Sequence, residues 1–454
     1  MSSETLELLK KEEEILWLNP RLKEAKIANA ESVYTMADIE EVEARFQRFA
    51  PFIQKVFPET KEQNGILESP LTEIEHMAQW LEGEYGVNLP GKMYVKRDDL
   101  LAISGTVKSR GAIYEVLKHA EDLALKEGLL KNINEDYEIF ASEEFTSFFS
   151  NYNLAVGTTG NLGISVGAMG RAFGFQVTVH MSEEAKAWKK NFLRDRGVDV
   201  IEYKSNFTEA VNAGREASNQ DPKSYFVDDE HSVDLFLGYT VGGYRMKKQL
   251  MEQGIKVDAD HPLFVYLPCG IGGSPSGITF GLKHAFGDHV HCFFAEPTKM
   301  PSMVAGLESQ KFDEICADDL SLGGLTVADG LAVPRTSALV AKLMNNYFSG
   351  GYTLKDESFQ SLLTKLYEKE NIFLEPAAVA GLAGPFKLFG SKAGQAYLVE
   401  HELQNKLDNA SHIAWGTGGS MVPEADRKDF IKEGQEKRLA IAENKEGSDT
   451  IYED

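Results

Sequence analysis

The sequence predicts an α/β protein: two open, twisted parallel-sheet domains with an added N-terminal helical segment. Three observations carry this. From about Leu154, short apolar runs alternate with amphipathic stretches and glycine-closed turns, the pattern of βαβ units. A second series of the same kind starts at "LFVYLPCG", Leu263–Gly270. The first ninety residues instead repeat their apolar positions at helical steps.

The elements follow in order. Leu6, Leu8, Leu9, Ile15 and Leu16 give one apolar helical face, and Val42, Phe46, Phe49, Ile53 and Val56 another. "MYVKRDDL" (Met93–Leu100) reads as a short strand. After "ISGTVKSRGA", Ile113, Val116, Leu117 and Ala120 recur at helical spacing, so a helix starts close to Thr106, with Ser104 and Thr106 as candidate caps. "LAVGTTGN" is a strand ending in a glycine-containing turn, and "LGISVGAMGRAFG" a helix of small residues stopped by Gly174. Then come the strand "FQVTVHM", a helix closed by Gly197, the strand "VDVIEY", the helix "FTEAVNAGREASN" and the strand "SYFVDD". A longer helix, Leu235 to Glu252, leads to the second series, with strands "LFVYLPCG" and "HVHCFFAEP". "HIAWGTGGS" is a last strand running into a turn, and the acidic tail after Pro423 is helical.

Composition excludes several classes. A chain of 454 residues with 43% apolar content holds more than one core, or one large α/β body. Forty-seven basic against 70 acidic residues leave a formal charge of -23, which argues against nucleic acid or an anionic membrane as partner. Cys269, Cys292 and Cys316 have no disulfide or metal spacing, which fits a reducing cytoplasm. The N-terminus has no apolar signal core, and no apolar run is long enough to span a bilayer.

Four features bear on chemistry. Lys108 sits in the first turn of its helix, at the positive end of the dipole, where a lysine is disfavoured. It is either an indifferent surface residue or one whose pKa is lowered for a purpose. "CGIGGSPSG" (Cys269–Gly277) follows a strand and opens a helix, so convergent amides at the helix N-terminus suit a phosphate. A dinucleotide fingerprint is the weaker reading, because Pro275 stands where its third glycine belongs. "GTTGN" (Gly157–Asn161) offers Thr158 and Thr159 hydroxyls and helix-start amides to a carboxylate, or simple capping. "GTGGS" (Gly416–Ser420) puts Thr417 just past a strand end, where ligands bind in open sheets. Other polar positions have plainer readings. "KRDD" (Lys96–Asp99) reads as a salt-bridged surface or domain-edge run, and Glu296 as a sheet-edge residue or a cation or cofactor contact. Cys269 reads as packing or a cofactor neighbour, and His289 and His291 lack a zinc motif.

One explanation covers the lysine, the phosphate-type turn, the carboxylate-type turn and the terminal hydroxyl: a phosphorylated aldehyde cofactor that captures amino acids. Their order resembles the fold type II pyridoxal-phosphate enzymes, the tryptophan synthase β-like family. Within it, "GTVKSRGAIYEVLKHAE", "VGTTGNLGISVGAMG", "DDEHSVDLFLGY", "LFVYLPCGIGG", "ADGLAV", "LEPAAVAGLAGP" and "GTGGSMVP" resemble the bacterial D-serine dehydratases (D-serine ammonia-lyases), from about Pro70 to Pro423.

The resemblance implies that Lys108 is the Schiff-base lysine and that Gly270, Ile271, Gly272 and Gly273 hold the phosphate. Asn161 meets the ring oxygen, Thr417 the ring nitrogen, and Thr158, Thr159 and Gly160 the substrate carboxylate. It implies α,β-elimination of D-serine to pyruvate and ammonia, with Lys108 or a neighbour taking the α-proton. An L-serine or L-threonine dehydratase, or another amino-acid β-eliminating lyase, is the alternative, and a non-catalytic metabolite-binding protein a remote one. It also implies a possible monovalent cation (K+ or Na+), no bound metal otherwise, and a monomer, with the N-terminal helices covering the face through which relatives of this fold pair, or else a dimer. The small substrate-side domain spans 145–242. The large cofactor-binding domain is discontinuous, 1–144 with 243–454. Ser274 and Ser276 depart from the family's more glycine-rich loop.

Overall fold

The computed structural model of the chain describes residues 3–158, 160–204 and 207–449, with the backbone alone for 207–208 and 437–449. Among the described residues, eleven strands form two sheets. They are β1 (Leu16–Leu18), β2 (Leu71–Glu73), β3 (Lys92–Arg97), β4 (Asn153–Gly157), β5 (Gln176–Ser182), β6 (Asp199–Tyr203), β7 (Ser224–Val227), β8 (Leu263–Pro268), β9 (Val290–Pro297), β10 (Gly350–Leu354) and β11 (Ser411–Gly416). The large sheet runs β1-β10-β9-β8-β11-β3-β2, and the small one β6-β5-β4-β7. The small sheet is all parallel. The large sheet is parallel from β10 to β3, and β1 and β2 cap its edges antiparallel. Each edge strand is three residues long, which leaves little template for pairing with another chain.

The βα alternation from Leu154 onward is where the sequence placed it. The N-terminal reading needs correction. The first helix is only Glu4–Leu9, and Leu16 lies in β1, bonded to Tyr352 of β10. Ile15 and Leu16 thus belong to an extended segment, because two turns of helix end before the acidic run Glu12–Glu14. β10 itself carried too little apolar signal to be read as a strand, with Gly350 and Gly351 at its start. "KRDD" is not a surface run: Lys96, Asp98 and Asp99 are buried.

Packing of the N-terminal segment is aromatic. Phe49 and Phe52 of the Met36–Val56 helix meet Phe140 and Phe173, with Phe52 stacked on Phe173 at 4.3 Å. Each such fully buried ring contributes roughly 1.5–3 kcal/mol. This cluster anchors the Asn161–Phe173 helix, whose first residue faces the site. The Val233–Glu252 helix packs closely on the Gly273–Phe286 helix. A methyl on Gly243 would overlap the carbonyl oxygen of Ile278, and one on Gly281 that of Thr240. Glycine here sets the helix spacing and fixes the start of the Gly273 helix relative to the small sheet. The three cysteines are unpaired. Among the described residues, no helix is long and apolar enough to cross a membrane.

Candidate active site

Three neighbouring parallel strands of the large sheet, β8, β11 and β3, end along one edge. Each is followed by one predicted feature: β3 by the Lys108 loop, β8 by the Cys269–Gly277 turn, β11 by Gly416–Ser420. In the small sheet, β4 leads to Thr158–Asn161 and its neighbour β7 to the Asp228–Ser232 segment. Carboxyl ends of parallel strands are where such folds bind ligands. One cleft gathers them, with about 800 Å3 of empty space counting its open mouth. That is within the range of small-molecule sites. Lys108, Thr158, Asn161, Gly270, Ile271, Gly272, Gly273 and Thr417 all line it. Gly160 lies behind Thr158, donating its N–H to Thr158 Oγ1 at 2.9 Å. Thr159 lies outside the described residues.

The helix opens at Lys108 itself, with Val107 at the cap position. Thr106 Oγ1 accepts the Lys108 N–H at 3.3 Å, so Thr106 does serve the first turn. Ser104 does not cap. Its hydroxyl pairs with Ser109 at 2.6 Å and accepts from Ser165 at 2.8 Å, tying the Lys108 helix to the Asn161 helix. The Val107 N–H donates to the Thr417 carbonyl at 2.8 Å, and Thr106 bridges Gly418. Lys108 and Thr417 are therefore held at fixed separation by backbone.

The ionisation of Lys108 runs opposite to the sequence expectation. Burial pulls the amine down, but Asp229 and, after it, Tyr239 together outweigh burial and hold the pKa above the ordinary lysine value. Asp229 Oδ2 is 3.5 Å from Nζ, and the Tyr239 ring centroid is 5.6 Å away. The helix dipole acts over one turn and amounts to a fraction of a charge; a full carboxylate at contact prevails.

The glycine turn is built to leave room. Gly272 has φ +108°, and a methyl there would overlap Met303 Cε. The Ile271 carbonyl accepts from the Ser337 N–H and the Thr336 hydroxyl, each at 3.0 Å, which pins the turn. Ser274 lines the cleft. Ser276 Oγ is buried without a hydrogen-bond partner, as are Asp229 Oδ1 and Tyr239 OH.

Four cleft-side residues escaped the sequence reading: Asp229, Asp329, Glu375 and Lys189. Asn161 Nδ2 donates to Glu375 Oε1 at 2.8 Å. Burial raises the Glu375 carboxyl above its ordinary value. Lys189, buried, lies 3.4 Å from Asp329 Oδ2. Burial lowers its amine, while Asp329 and Glu375 raise it further than burial lowers it. Asp229 had a signal, an acid directly after a parallel strand. Asp329 and Glu375 lie inside "ADGLAV" and "LEPAAVAGLAGP", runs noticed for their likeness and not for their acids. Lys189 had none.

Glu296 is corrected. It lies on interior strand β9, not at a sheet edge, and its carboxylate accepts the Met303 and Val304 N–H groups at 2.7 and 3.0 Å. It caps the Ser302–Ser309 helix, and burial pushes its pKa up to about 8 against those two bonds. Cys269 is buried.

A sequence pattern for pyridoxal-phosphate dependent enzymes matches residues 63–396. The chain belongs to this pyridoxal-phosphate dependent enzyme family. A relative from Geobacillus kaustophilus, described as a probable D-serine dehydratase, is 52% identical over 426 residues, covering 93% of this chain and 96% of that one. Diaminopropionate ammonia lyase from Escherichia coli shares the fold at TM-score 0.70 and 16% identity, covering 93% of this chain and 97% of that one. The same enzyme solved in complex with D-serine aligns at TM-score 0.66 and 15% identity over the same shares.

The residues present fit the family's cofactor. Gly270, Ile271, Gly272 and Gly273 line the cleft at the start of a 14-residue helix whose free amides favour an anion. Ser274, in the first turn of that helix, lines the same cleft. Lys108 supplies the amine that an aldehyde requires.

Proposed function

We propose that this chain is a D-serine ammonia-lyase, converting D-serine to pyruvate and ammonia by α,β-elimination. The observation that carries the reading is Lys108, paired with Asp229 in the cleft that also holds the Gly270–Gly273 turn. Relatives about half identical along nearly the whole length, described as probable D-serine dehydratases, support the choice of substrate.

Lys108 would hold pyridoxal phosphate through its amine, Gly270, Ile271, Gly272 and Gly273 its phosphate, Asn161 its ring oxygen and Thr417 its ring nitrogen. Bound there, the cofactor draws electrons away from the substrate's Cα. Thr158, Thr159 and Gly160 bind the substrate carboxylate at the positive end of the Asn161–Phe173 helix. A neutral Lys108 amine would remove the Cα proton, and Asp229 Oδ2, 3.5 Å from Nζ, would stabilise the ammonium that results. Thr417 brings a neutral hydroxyl to the ring nitrogen, and a hydroxyl, unlike a carboxylate, does not hold a proton there. That favours prompt loss of the β-hydroxyl over transamination. The division into a small domain, 145–242, and a discontinuous large one, 1–144 with 243–454, belongs to the same proposal. So does a monovalent cation, read by turnover in potassium, sodium and tetramethylammonium chlorides.

The test is ammonia and pyruvate release from D-serine, L-serine, D-threonine and L-threonine, measured separately. D-serine should be fastest; equal or faster turnover of L-serine overturns the substrate assignment. Borohydride should fix the cofactor to Lys108, and Lys108→Ala should abolish both fixation and turnover.

A further inference from the structure

The helix that presents Lys108 carries a second ionisable group to the same seam. Glu115 follows Lys108 by seven residues, close to two full turns, so both leave the same helix face. Its side chain is buried, and Oε1 accepts two hydrogen bonds of 2.8 Å, from Tyr225 OH and Ser232 Oγ. Those donors bracket Asp229. Tyr225 lies in β7 just before it. Ser232 follows it as the cap of the Val233–Glu252 helix, where its Oγ also accepts the Leu235 N–H at 3.0 Å. The Ser232 N–H in turn donates to the Asp228 carbonyl at 2.9 Å. The segment presenting Asp229 is thus tied at both ends to one oxygen on the helix presenting Lys108. The other oxygen, Oε2, is buried without a partner. An unsatisfied buried oxygen costs stability, so local stability alone gives a poor account of this residue.

We propose that Glu115 is a positioning residue that, through Tyr225 and Ser232, holds the Asp228–Ser232 segment so that Asp229 faces Lys108. This rests on the reading of Asp229 as the proton partner of Lys108.

The titratable groups around Glu115 are Tyr225, Asp229, Asp234 and His119, whose ring stacks on Tyr225 at 4.1 Å. Lys118, on the same helix, pairs with Asp234 at 3.4 Å. Burial pushes the Glu115 carboxyl up to about 8, so it is mostly protonated at neutral pH. Glutamine then matches it in shape and charge and still offers an oxygen to both hydroxyls. Burial also pulls His119 down to about 4, so it is neutral there.

The test reads Lys108 directly, without turnover. The full-length chain, stripped of cofactor, is reductively methylated with formaldehyde at one fixed alkaline pH, and the Lys108 peptide is followed by mass spectrometry. Only the neutral amine reacts, and Asp229 keeps Lys108 charged. Releasing an opposite charge at this range lowers the pKa by about one unit or more, so the labelling rate rises about tenfold. Glu115→Leu should show that rise, Glu115→Gln should not, and Glu115→Leu should add nothing in an Asp229→Asn background. An unchanged rate in Glu115→Leu, or the same rise on top of Asp229→Asn, overturns the proposal. If Glu115→Leu does not fold, the pair Tyr225→Phe and Ser232→Ala removes both donors while keeping Glu115. The same rise is then expected, and its absence is equally fatal. Failure of the wild-type chain to turn over D-serine would sink the functional reading alone and leave this test standing.

Discussion

Replacing Arg110 by methionine is expected to destabilise the chain by about 3–5 kcal/mol, the cost of leaving a buried charge without its partner. Arg110 lies two residues past Lys108, and its guanidinium and the Asp98 carboxylate are both fully buried. It donates to Asp98 at 2.8 and 2.7 Å, to Glu68 at 3.1 and 2.6 Å and to Ser69 Oγ at 3.3 Å. Glu68 is the less dependent acid, because Lys96 Nζ stays 2.8 Å away. Asp98 would keep only two neutral donors, Ser69 Oγ at 2.6 Å and Trp415 Nε1 at 2.7 Å. The loss therefore falls mainly on Asp98, and Asp98→Asn in the Arg110→Met background should restore at least about 1 kcal/mol of coupling. Urea unfolding of the cofactor-free chain, followed by tryptophan fluorescence, measures both. A loss below about 1 kcal/mol, or costs that simply add, would refute the reasoning. Activity should fall with stability, because the cluster joins the end of β3, the Lys108 helix and Trp415, two residues before Thr417.

Three further outcomes are expected. Asp229→Asn should lower kcat for D-serine by about 10²-fold or more while the cofactor still binds, as loss of the group that stabilises the protonated general base does; an unchanged kcat argues against its role. Gly272→Ala forces an L-residue to φ +108° and a methyl onto Met303. Strain of about 1–3 kcal/mol should appear as weaker pyridoxal-phosphate binding in a fluorescence titration, and trimming Met303 should relieve only part of it. Glu296 keeps its proton in the fold up to about pH 8, against an ordinary value of 4.5. Between those values the unfolded chain has released a proton that the folded chain retains, so wild-type stability falls as pH rises. Glu296→Gln should flatten that slope in urea titrations over this window, and parallel curves would contradict it.

The parts of the fold legible in the sequence were those in which one residue decides one feature. Gly174 stops a helix because its φ is +98°, and the apolar runs of β8, β9 and β11 are buried along their whole length. β1, β2 and β10 were not legible. β1 and β2 have three residues each, β10 opens on two glycines, and β1 exists only because Leu16–Leu18 pairs with Tyr352–Gly350, more than three hundred residues away. The same divide runs through the site. The lysine, the glycine turn and the threonines announce themselves locally. Glu375 and Lys189 acquire meaning only from a partner, Asn161 in one case and Asp329 in the other, and no local pattern encodes that pairing.

Lys108 shows how a residue can be singled out by an incomplete argument. A lysine at a helix N-terminus is disfavoured, and that oddity singles it out. Yet the dipole alone is worth only about 0.3–1 kcal/mol, under one pKa unit, too little to keep a lysine amine neutral. Asp229 reverses the balance. The amine rests charged, and the carboxylate that holds its proton sits on the other sheet, beyond β7. β3 brings Lys108 and β7 brings Asp229, so their 3.5 Å separation depends on how the two sheets are held together. Contacts between the Lys108 helix and β7, of which the Glu115–Tyr225 bond is one, are therefore where the proposed control of the Lys108 proton state would act.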